Sequence, residues 1–327
     1  MKRVAVLRGG HSDVYGISML SGSAVLEALK KLNYPYKDIV ITKKGEWLEG
    51  GFVRPVQAAL EGIDVVFIAL HGEFGEDGQI QKILQLHNIP FTGSKSLSSA
   101  IGFNKELTKR TLKESGINLP KHRILNRLEV GALAKQNLLD EELANIFNEV
   151  SDELFVKPVT SGSSTGIRYV PNKETLKTAI NEVLANYEQV MVEEFIRGKE
   201  AAVGVLNNFR NESLYTLPVV EIIPKNGESH LTKAEKIMGE TNQVVPGRFT
   251  YHEKSKLAEA ASLVHKIIDC KDYSRSDFIV RNGEVYFLEV NTLPGLTNES
   301  LFPKAAASIG LDFTQLVEHL LNSAYSH

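Results

Sequence analysis

Cysteine is almost absent from this chain of 327 residues, since Cys270 is the single one. One cysteine cannot form an internal disulfide or supply a structural zinc site, and it suits a reducing compartment. No apolar run approaches the roughly 18 residues of a membrane span, and the N-terminal residues give a strand pattern where a secretory leader would have an apolar stretch. We therefore expect a cytoplasmic protein without a membrane partner.

Excess charge of one sign is also missing. Lys and Arg number 37 against 40 Asp and Glu, and the two signs are interspersed, so we expect no nucleic-acid partner. The glycine fingerprint of dinucleotide-binding proteins and the Walker A motif are both absent, which argues against a nicotinamide-dependent dehydrogenase. The length predicts about two or three domains, each with its own core.

The first third of the chain alternates strand and helix patterns. Residues 4–7, 38–42 and 64–70 read as strands, and a helical apolar spacing starts at Ser18. Such alternation predicts an open parallel sheet with ligands at the carboxyl ends of its strands. The loops at 9–12 and 71–78 leave two of these ends and should face one crevice. The sequence pattern changes near residue 95, where we place a domain boundary.

The middle of the chain carries a candidate phosphate loop. Residues 98–115 read as one helix, and strands at 154–156 and 167–170 flank the small-residue loop 160–166, which Lys157 precedes. Such a loop can close over an anion through its N–H groups, or it can be a flexible turn. Strands at 189–194 and 201–206 follow, and the polar stretch 225–247 has the features of a lid. Helices are expected at 257–268 and 314–321.

Residues 274–301 read as a hairpin followed by a loop, with Asn282-Gly283 at the turn. A two-residue turn would separate Asp277 from Glu289. A three-residue turn with Gly283 in a bulge would instead gather Arg275, Asp277, Glu289 and Asn291 on one face, and we expect the latter. The opposite, apolar face would then carry the following residues: Phe278, Val280, Tyr286, Leu288 and Val290. The oxygens of two carboxylates and an amide are ligands that suit Mg²⁺. The alternative is that these residues form the solvated face of an edge hairpin and bind nothing.

Several segments together resemble the D-alanine–D-alanine ligases of the ATP-grasp fold. They are GGHS at 9–12, SGSAVLEAL at 21–29, LHGEFGEDGQIQ at 70–81, FVKPVTSGSSTGI at 155–167 and RSDFIVRNGEVYFLEVNTLPGLTNESLFP at 275–303. The resemblance implies an α/β protein: a Rossmann-like domain at 1–95, a central ATP-grasp subdomain at 96–188 and a C-terminal one at 189–327. It implies ATP-dependent joining of two D-alanines through an acyl phosphate, for peptidoglycan, by a homodimer.

The resemblance also assigns roles to residues. Asp277, Glu289 and Asn291 match the ligands of two Mg²⁺ or Mn²⁺ ions. Arg275 and the N–H of Gly295 match the oxyanion donors, and His71 matches a histidine beside the first amino acid. Ser300 and Leu301 match the positions that hold the carboxylate of the second amino acid. The positions that match the ATP site, from the phosphates to the base and ribose, are the following: Lys105, Lys157, Ser163, Ser164, Lys236, Glu193, Phe195, Ile196 and Glu200.

Two positions depart from the family pattern. Gly16 stands where the family has a glutamate that binds the ammonium of the first substrate, and Ile237 stands where it has a tyrosine linked to that glutamate through a serine, which Ser163 matches. An ammonium buried without an anion is costly. Three acids could substitute: Asp13, Glu73 and Glu76. We favour Asp13, because it is nearest in sequence.

The departures leave two alternatives open. One is a related ligase that takes D-serine or D-lactate in place of one substrate. The other is a nucleotide-binding homologue with impaired catalysis, although the oxyanion arginine and the phosphate-binding lysines are retained.

Overall fold

The computed structural model describes residues 2–162, 166–224 and 241–326. Ser163, Ser164 and Lys236, which the resemblance assigns to the nucleotide site, lie outside these residues. None of the described helices is long and apolar enough to cross a membrane. The described strands are β1 Val4–Gly9, β2 Tyr36–Ile41, β3 Trp47–Glu49, β4 Phe52–Arg54, β5 Val65–Ile68, β6 His122–Asn126, β7 Leu154–Pro158, β8 Arg168–Val170, β9 Gln189–Glu194, β10 Lys199–Phe209, β11 Glu212–Thr216, β12 Val220–Pro224, β13 Thr241–Val244, β14 Tyr273–Arg281 and β15 Glu284–Asn291.

The helices fill the connections between these strands. The described ones are α1 Tyr15–Lys31, α2 Val56–Ala59, α3 Gln79–Leu86, α4 Ser96–Phe103, α5 Lys105–Leu112, α6 Arg127–Lys135, α7 Leu139–Val150, α8 Lys173–Leu184, α9 Tyr251–Ile267, α10 Leu301–Ala307 and α11 Phe313–Ala324.

The first sheet has the order β4-β3-β2-β1-β5. Its centre is parallel, as the alternating pattern predicts, because β1 pairs in parallel with both β2 and β5. An antiparallel extension, β3 and β4, is added at one edge. Residues 9–12 and 71–78 leave the carboxyl ends of β1 and β5, so both loops lie at the same edge of the sheet.

The second sheet has four strands in the order β6-β9-β7-β8. One face packs against the helices of this part through a core that includes Val156, Ile180 and Val192. Successive residues of a strand alternate between faces, so Lys157 and Glu193 point away from that core. Strand β9 pairs with both β6 and β7. The boundary expected after residue 188 would cut this sheet, which continues to Glu194.

The single helix expected at 98–115 is divided into α4 and α5 by Asn104, whose backbone is extended. The side chain of Asn104 accepts a hydrogen bond from the N–H of Leu107 and so caps α5. The N–H of Lys105 also bonds the carbonyl of Val159 at 3.0 Å. The break therefore turns the start of α5 toward the end of β7, where the candidate phosphate loop begins.

The third sheet has the path β13-β12-β10-β14-β15, with β11 paired to β10. The expected three-residue turn between β14 and β15 is wrong. Arg281 pairs with Glu284, which makes Asn282-Gly283 a two-residue turn with both residues at positive φ. The extra residue lies farther along, because Phe278 pairs with Phe287 while Asp277 pairs with Glu289.

This bulge at Leu288 shifts the register by one residue, so the two carboxylates pair across the strands despite the tight turn. The expected polar face is thus present, but the apolar face differs from the expected one. Val285 and Phe287 are buried against α9, and the expected Tyr286 and Leu288 are not part of that core.

The first and third sheets share a core. Side chains of β1 and β5 belong to the same buried cluster as Phe302 in α10 and Leu320 in α11. Asp272, which is fully buried, accepts hydrogen bonds from the N–H of Gly93 and from the hydroxyl of Ser323, each at 2.6 Å. These contacts fix the loop before α4 and the last turn of α11 against the start of β14.

Candidate active site

A cavity of about 720 Å³ lies between the first sheet and the polar face of the β14–β15 hairpin. Its walls come from the start of α1, the loop after β5, the third sheet and the loop after β15. The following residues line it: Val14, Ile17, Leu20, Ala24, His71, Glu76, Gly162, Glu200, Ile222, Thr241, Gln243, Arg275, Asp277, Glu289, Asn291, Leu293, Gly295, Thr297, Asn298, Glu299, Ser300 and Leu301.

The hairpin wall is charged, and its charges are paired. Arg275 donates from Nε and Nη2 to the two oxygens of Asp277, both at 2.8 Å. On the neighbouring strand β15, Glu289 Oε2 lies 3.3 Å from Nζ of Lys105, which is at the start of α5. Lys105 Nζ also donates to the carbonyl of Ser161 at 2.9 Å. The bidentate pair fixes the guanidinium at the cavity surface, where it can face developing negative charge.

The donor set of this wall fits Mg²⁺. Asp277 and Glu289 pair across the strands, and Asn291 lies two residues farther on the same face, so two carboxylates and one amide converge. Within the described residues, the buried Nδ2 of Asn291 has no hydrogen-bond partner. This nitrogen only donates, so Oδ1 would be the metal ligand, and Nδ2 remains available to donate to an oxygen of a bound molecule. Arg275 and Lys105 compensate the carboxylates in the structure as it stands.

His71 lies at the back of the cavity, where the loop after β5 meets Leu293. Its Nδ1 is 3.2 Å from the carbonyl oxygen of Leu293, and its Nε2 is 2.9 Å from Ser21 Oγ. A carbonyl only accepts, so Nδ1 carries the hydrogen and Nε2 accepts from the serine hydroxyl. Burial, together with the nearby Arg275 charge, lowers the pKa of His71 to about 4. The ring is therefore neutral at pH 7.

Glu76 is the buried acid of the loop after β5. Its Oε1 accepts from the N–H of Gly72 at 2.8 Å and lies 3.9 Å from His71 Nδ1. Burial raises the pKa of Glu76 to about 7, although the Gly72 bond and the Arg275 charge oppose the rise. A carboxyl that titrates near neutrality inside a substrate-sized cavity is a candidate for contact with a cation.

Of the three acids that could substitute at the Gly16 wall, Glu76 is the one that lines the cavity. Asp13 and Glu73 are exposed. Asp13 lies toward Tyr187, whose pKa is raised by burial and by the Asp13 charge. The expectation that favoured Asp13 is therefore not supported. That expectation rested on proximity in sequence, and Asp13 lies outside the residues that line the cavity.

A second cluster of charged and aromatic residues, which the resemblance assigns to the nucleotide, is built on β7, β9 and α5. Lys157 forms an ion pair with Glu193 Oε2, and Lys109 Nζ lies 2.8 Å from Glu193 Oε1. Burial alone would raise the pKa of Glu193, but the two lysines outweigh it and lower the pKa to about 2. Phe195 and Ile196 are buried beside this group, and the Phe195 ring lies 5.0 Å from that of Phe155. Glu200 opens into the cavity.

The loop after β15 forms the remaining wall. A Cβ at Gly295 would lie 2.8 Å from Ser300 Oγ, so only glycine fits there without displacement. Ser300 Oγ accepts from the N–H of Thr297 at 3.1 Å, which holds the loop closed against the start of α10. Gly295, Ser300 and Leu301 all reach the cavity, as expected of a substrate-binding loop.

Sequence reasoning missed Lys109 and Ser21. Lys109 follows Lys105 by four residues, so the two share one face of a helix, and this spacing was a readable signal. Ser21 gave no signal of its own, because its contact with His71 spans 50 residues of chain. Most of the described sequence-based candidates line the cavity: His71, Glu200, Arg275, Asp277, Glu289, Asn291, Gly295, Ser300 and Leu301. Lys105 is joined to them through Glu289, whereas Lys157 and Glu193 form a neighbouring cluster beside Phe195 and Ile196. Asp13 lies outside the lining.

Comparisons with known proteins agree with this geometry. A family model described as "D-ala D-ala ligase C-terminus" matches residues 111–322, and one described as "D-ala D-ala ligase N-terminus" matches residues 50–94. The chain belongs to the D-alanine–D-alanine ligase family. A curated relative, the D-alanine–D-alanine ligase of Aquifex aeolicus, is 37% identical over 98% of this chain and 99% of its own length.

Solved structures of the same family superpose on the whole chain. The D-Ala:D-Ser ligase VanG from Enterococcus faecalis gives a TM-score of 0.82 at 30% identity, covering 99% of each chain. The D-alanine–D-alanine ligase of Bacillus anthracis complexed with ATP gives 0.78 at 26% identity, covering 100% of this chain and 98% of that one. The expected ATP-grasp fold and the expected membership of an ATP-dependent ligase family are confirmed.

Proposed function

We propose that this chain joins two molecules of D-alanine at the expense of ATP, giving the D-alanyl-D-alanine of peptidoglycan. The observation that carries the proposal is the convergence of Arg275, Asp277, Glu289 and Asn291 with His71 around one cavity. A protein that only binds a nucleotide needs no arginine held by a bidentate contact beside Glu289 and Asn291. Acyl transfer needs such a donor, because negative charge develops on the oxygen of its tetrahedral intermediate.

The reaction proceeds in two displacements. The carboxylate of the first D-alanine attacks the γ-phosphorus of ATP, releasing ADP and forming an acyl phosphate. The amine of the second D-alanine then attacks the acyl carbon, and the tetrahedral intermediate collapses with loss of phosphate and a proton. Phosphoryl transfer depends mainly on positioning and charge neutralisation, which the two lysines Lys105 and Lys157 supply to the phosphates.

Asp277, Glu289 and Asn291 are proposed to hold Mg²⁺, as two ions, or Mn²⁺. When bound, the metal neutralises phosphate charge. Arg275 and the N–H of Gly295 then stabilise the oxyanion, and the neutral His71 orients the first substrate rather than carrying a charge. Ser300 and Leu301 bind the carboxylate of the second D-alanine.

Glu76 is proposed to bind the ammonium of the first D-alanine. The other cavity acids have different tasks: Asp277 and Glu289 face the metal, and Glu200 faces the ribose. Glu299 pairs with Lys304 at 2.6 Å on the outer side. Glu193 is proposed to accept from the adenine amine, between Phe195 and Ile196. Ser163, Ser164 and Lys236 complete the phosphate site.

The chain is further proposed to form three units, divided near residue 95 and after Glu194, and to act as a cytoplasmic homodimer. The second division follows the four-stranded sheet, which includes β9.

A phosphate-release assay with Mg-ATP tests the function. D-Alanine should release one phosphate per dipeptide, identified by mass spectrometry, and L-alanine should release none. D-Serine and D-lactate, each paired with D-alanine, test the alternative second substrates. Absence of phosphate release with D-alanine, alone and in every pair, would overturn the proposal.

A further inference from the structure

Lys109 is a buried ammonium to which no step above gives a task. Its side chain is 1% exposed, on the face of α5 that also carries Lys105. Lysine is rarely buried so fully without a paired acid, and the acid here is Glu193, itself 2% exposed.

The ion pairs around Glu193 are of two kinds. Lys157 contacts one carboxylate oxygen and is 8% exposed, at the end of β7 where the phosphate loop begins. Lys109 contacts the other carboxylate oxygen from α5, on the side that is closed to solvent. Two ammonium groups thus share one carboxylate, and the excess positive charge suits an arriving phosphate, to which Lys157 can turn while Lys109 stays.

We propose that Lys109 is a positioning residue that keeps Glu193 ionised and oriented toward the nucleobase after Lys157 has turned to the phosphates, and so makes the enzyme select a 6-aminopurine. The proposal rests on the assignment of Glu193 to adenine made above. An ionised carboxylate only accepts hydrogen bonds, so it favours the adenine amine, whereas a protonated one can donate to the carbonyl of hypoxanthine.

The surroundings of Glu193 define what could disturb this selection. The charged and titratable groups that face it are Lys109 and Glu106 from α5, Lys157 from β7 and His122 from β6. His122 pairs with Glu193 in register, and its Nε2 lies 3.0 Å from Glu106. Without Lys109, the departure of Lys157 would leave a buried carboxylate with no adjacent cation, and it would then take up a proton.

The test compares ATP with ITP, which differ at the 6-position, in steady-state assays with Mg²⁺ and D-alanine at several pH values. In Lys109→Met, KM for ATP should rise by about tenfold or more, with kcat nearly unchanged, and the ATP-to-ITP ratio of kcat/KM should fall by about tenfold. KM for ATP in this variant should worsen as the pH falls. Lys109→Arg should keep the wild-type ratio and pH profile.

Lys113→Met, an exposed lysine at the end of the same helix, is the matched control and should change nothing. If Lys109→Met does not fold, Lys109→Gln replaces it. An unchanged ATP-to-ITP ratio with an unchanged pH profile overturns the role of Lys109. In that case Glu193→Gln shows which assignment is at fault. If Glu193→Gln leaves the ATP-to-ITP ratio unchanged as well, the assignment of Glu193 to adenine fails. If Glu193→Gln lowers the ratio, only the Lys109 proposal fails.

Discussion

The two walls of the cavity are built in opposite ways. On the hairpin wall each charged group lies against an opposite charge, with Arg275 on Asp277 and Lys105 by Glu289. On the α1 wall the lining is apolar, through Val14, Ile17, Leu20 and Ala24, and Leu20 is 63% exposed to the open space. The hairpin wall therefore presents paired charges of the kind that the proposed phosphate and metal need, whereas the α1 wall offers only shape.

The difference teaches where specificity resides. Activation chemistry is common to every substrate of this ligase family and needs the charged wall. Recognition of the first amino acid needs an anion for its ammonium, and we propose that the loop after β5 supplies it through Glu76 in place of α1. The following changes test the contrast, from the largest expected effect to the smallest.

Asp277→Asn should lower kcat by on the order of 10³-fold, because it removes one of the oxygens proposed to bind the metal and half of the bidentate partner of the half-buried Arg275. Phosphate release and Mg²⁺ titration measure the loss. Glu284→Gln, at the exposed tip of the same hairpin, serves as the control. Near-normal turnover in Asp277→Asn would refute the charged wall as the catalytic one.

Glu76→Gln should lower kcat/KM for the first D-alanine by about 10²-fold, the value of a charge-assisted hydrogen bond in a buried site. In the wild type the KM for the first D-alanine should fall as the pH rises through about 7, because the raised pKa of Glu76 leaves the carboxyl neutral below that value. The variant should lose this dependence.

Glu73→Gln and Asp13→Asn, the two exposed acids, are the controls for Glu76. A loss in Asp13→Asn that matches the loss in Glu76→Gln would return the ammonium to Asp13.

The pH dependence of the unfolding free energy gives a second test of the raised pKa of Glu76. The folded state holds a proton on Glu76 between pH 4.5 and about 7, so the wild type should lose stability across this window as the pH rises, and Glu76→Gln should lose less.

Ser21→Ala should lower kcat by about tenfold, because the neutral His71 ring loses the hydroxyl that donates to Nε2 and fixes its orientation. Ser23→Ala, on the exposed side of the same helix, is the matched control. Steady-state kinetics at pH 7 are sufficient. Equal effects in the two variants would mean that Ser21 contributes only to the helix.

The sequence was most informative where function depends on local spacing. The alternation along β14 and β15 predicted which four polar residues share a face, and the motif at 155–167 led to Lys157. The turn was predicted wrongly, because a bulge at Leu288 and a three-residue turn give the same face and differ only in the core. The alternation of polar and apolar residues in the sequence fits both arrangements and does not distinguish them.

Contacts between distant segments were beyond such reasoning. The ring of His71 is held by Ser21 and Leu293, which approach each other only after the first and third sheets share a core. Asp13 and Glu76 illustrate the same limit, since the residue closer in sequence to Gly16 lies outside the cavity lining and the distant one lies inside it.

Gly16→Glu should have the smallest effect and sharpens the contrast most directly. A Cβ at Gly16 meets no atom within 4 Å, and the first turn of α1 has no acid, so the carboxylate should fit and add a few tenths of a kcal/mol through the helix dipole. KM for the first D-alanine should fall by a few-fold in the wild type and by more in Glu76→Gln, because there the new carboxylate no longer competes with Glu76 for the ammonium. Gly16→Gln controls for size. If stability rises while KM stays constant in both backgrounds, the ammonium does not approach α1, and recognition of the first substrate belongs wholly to the loop after β5.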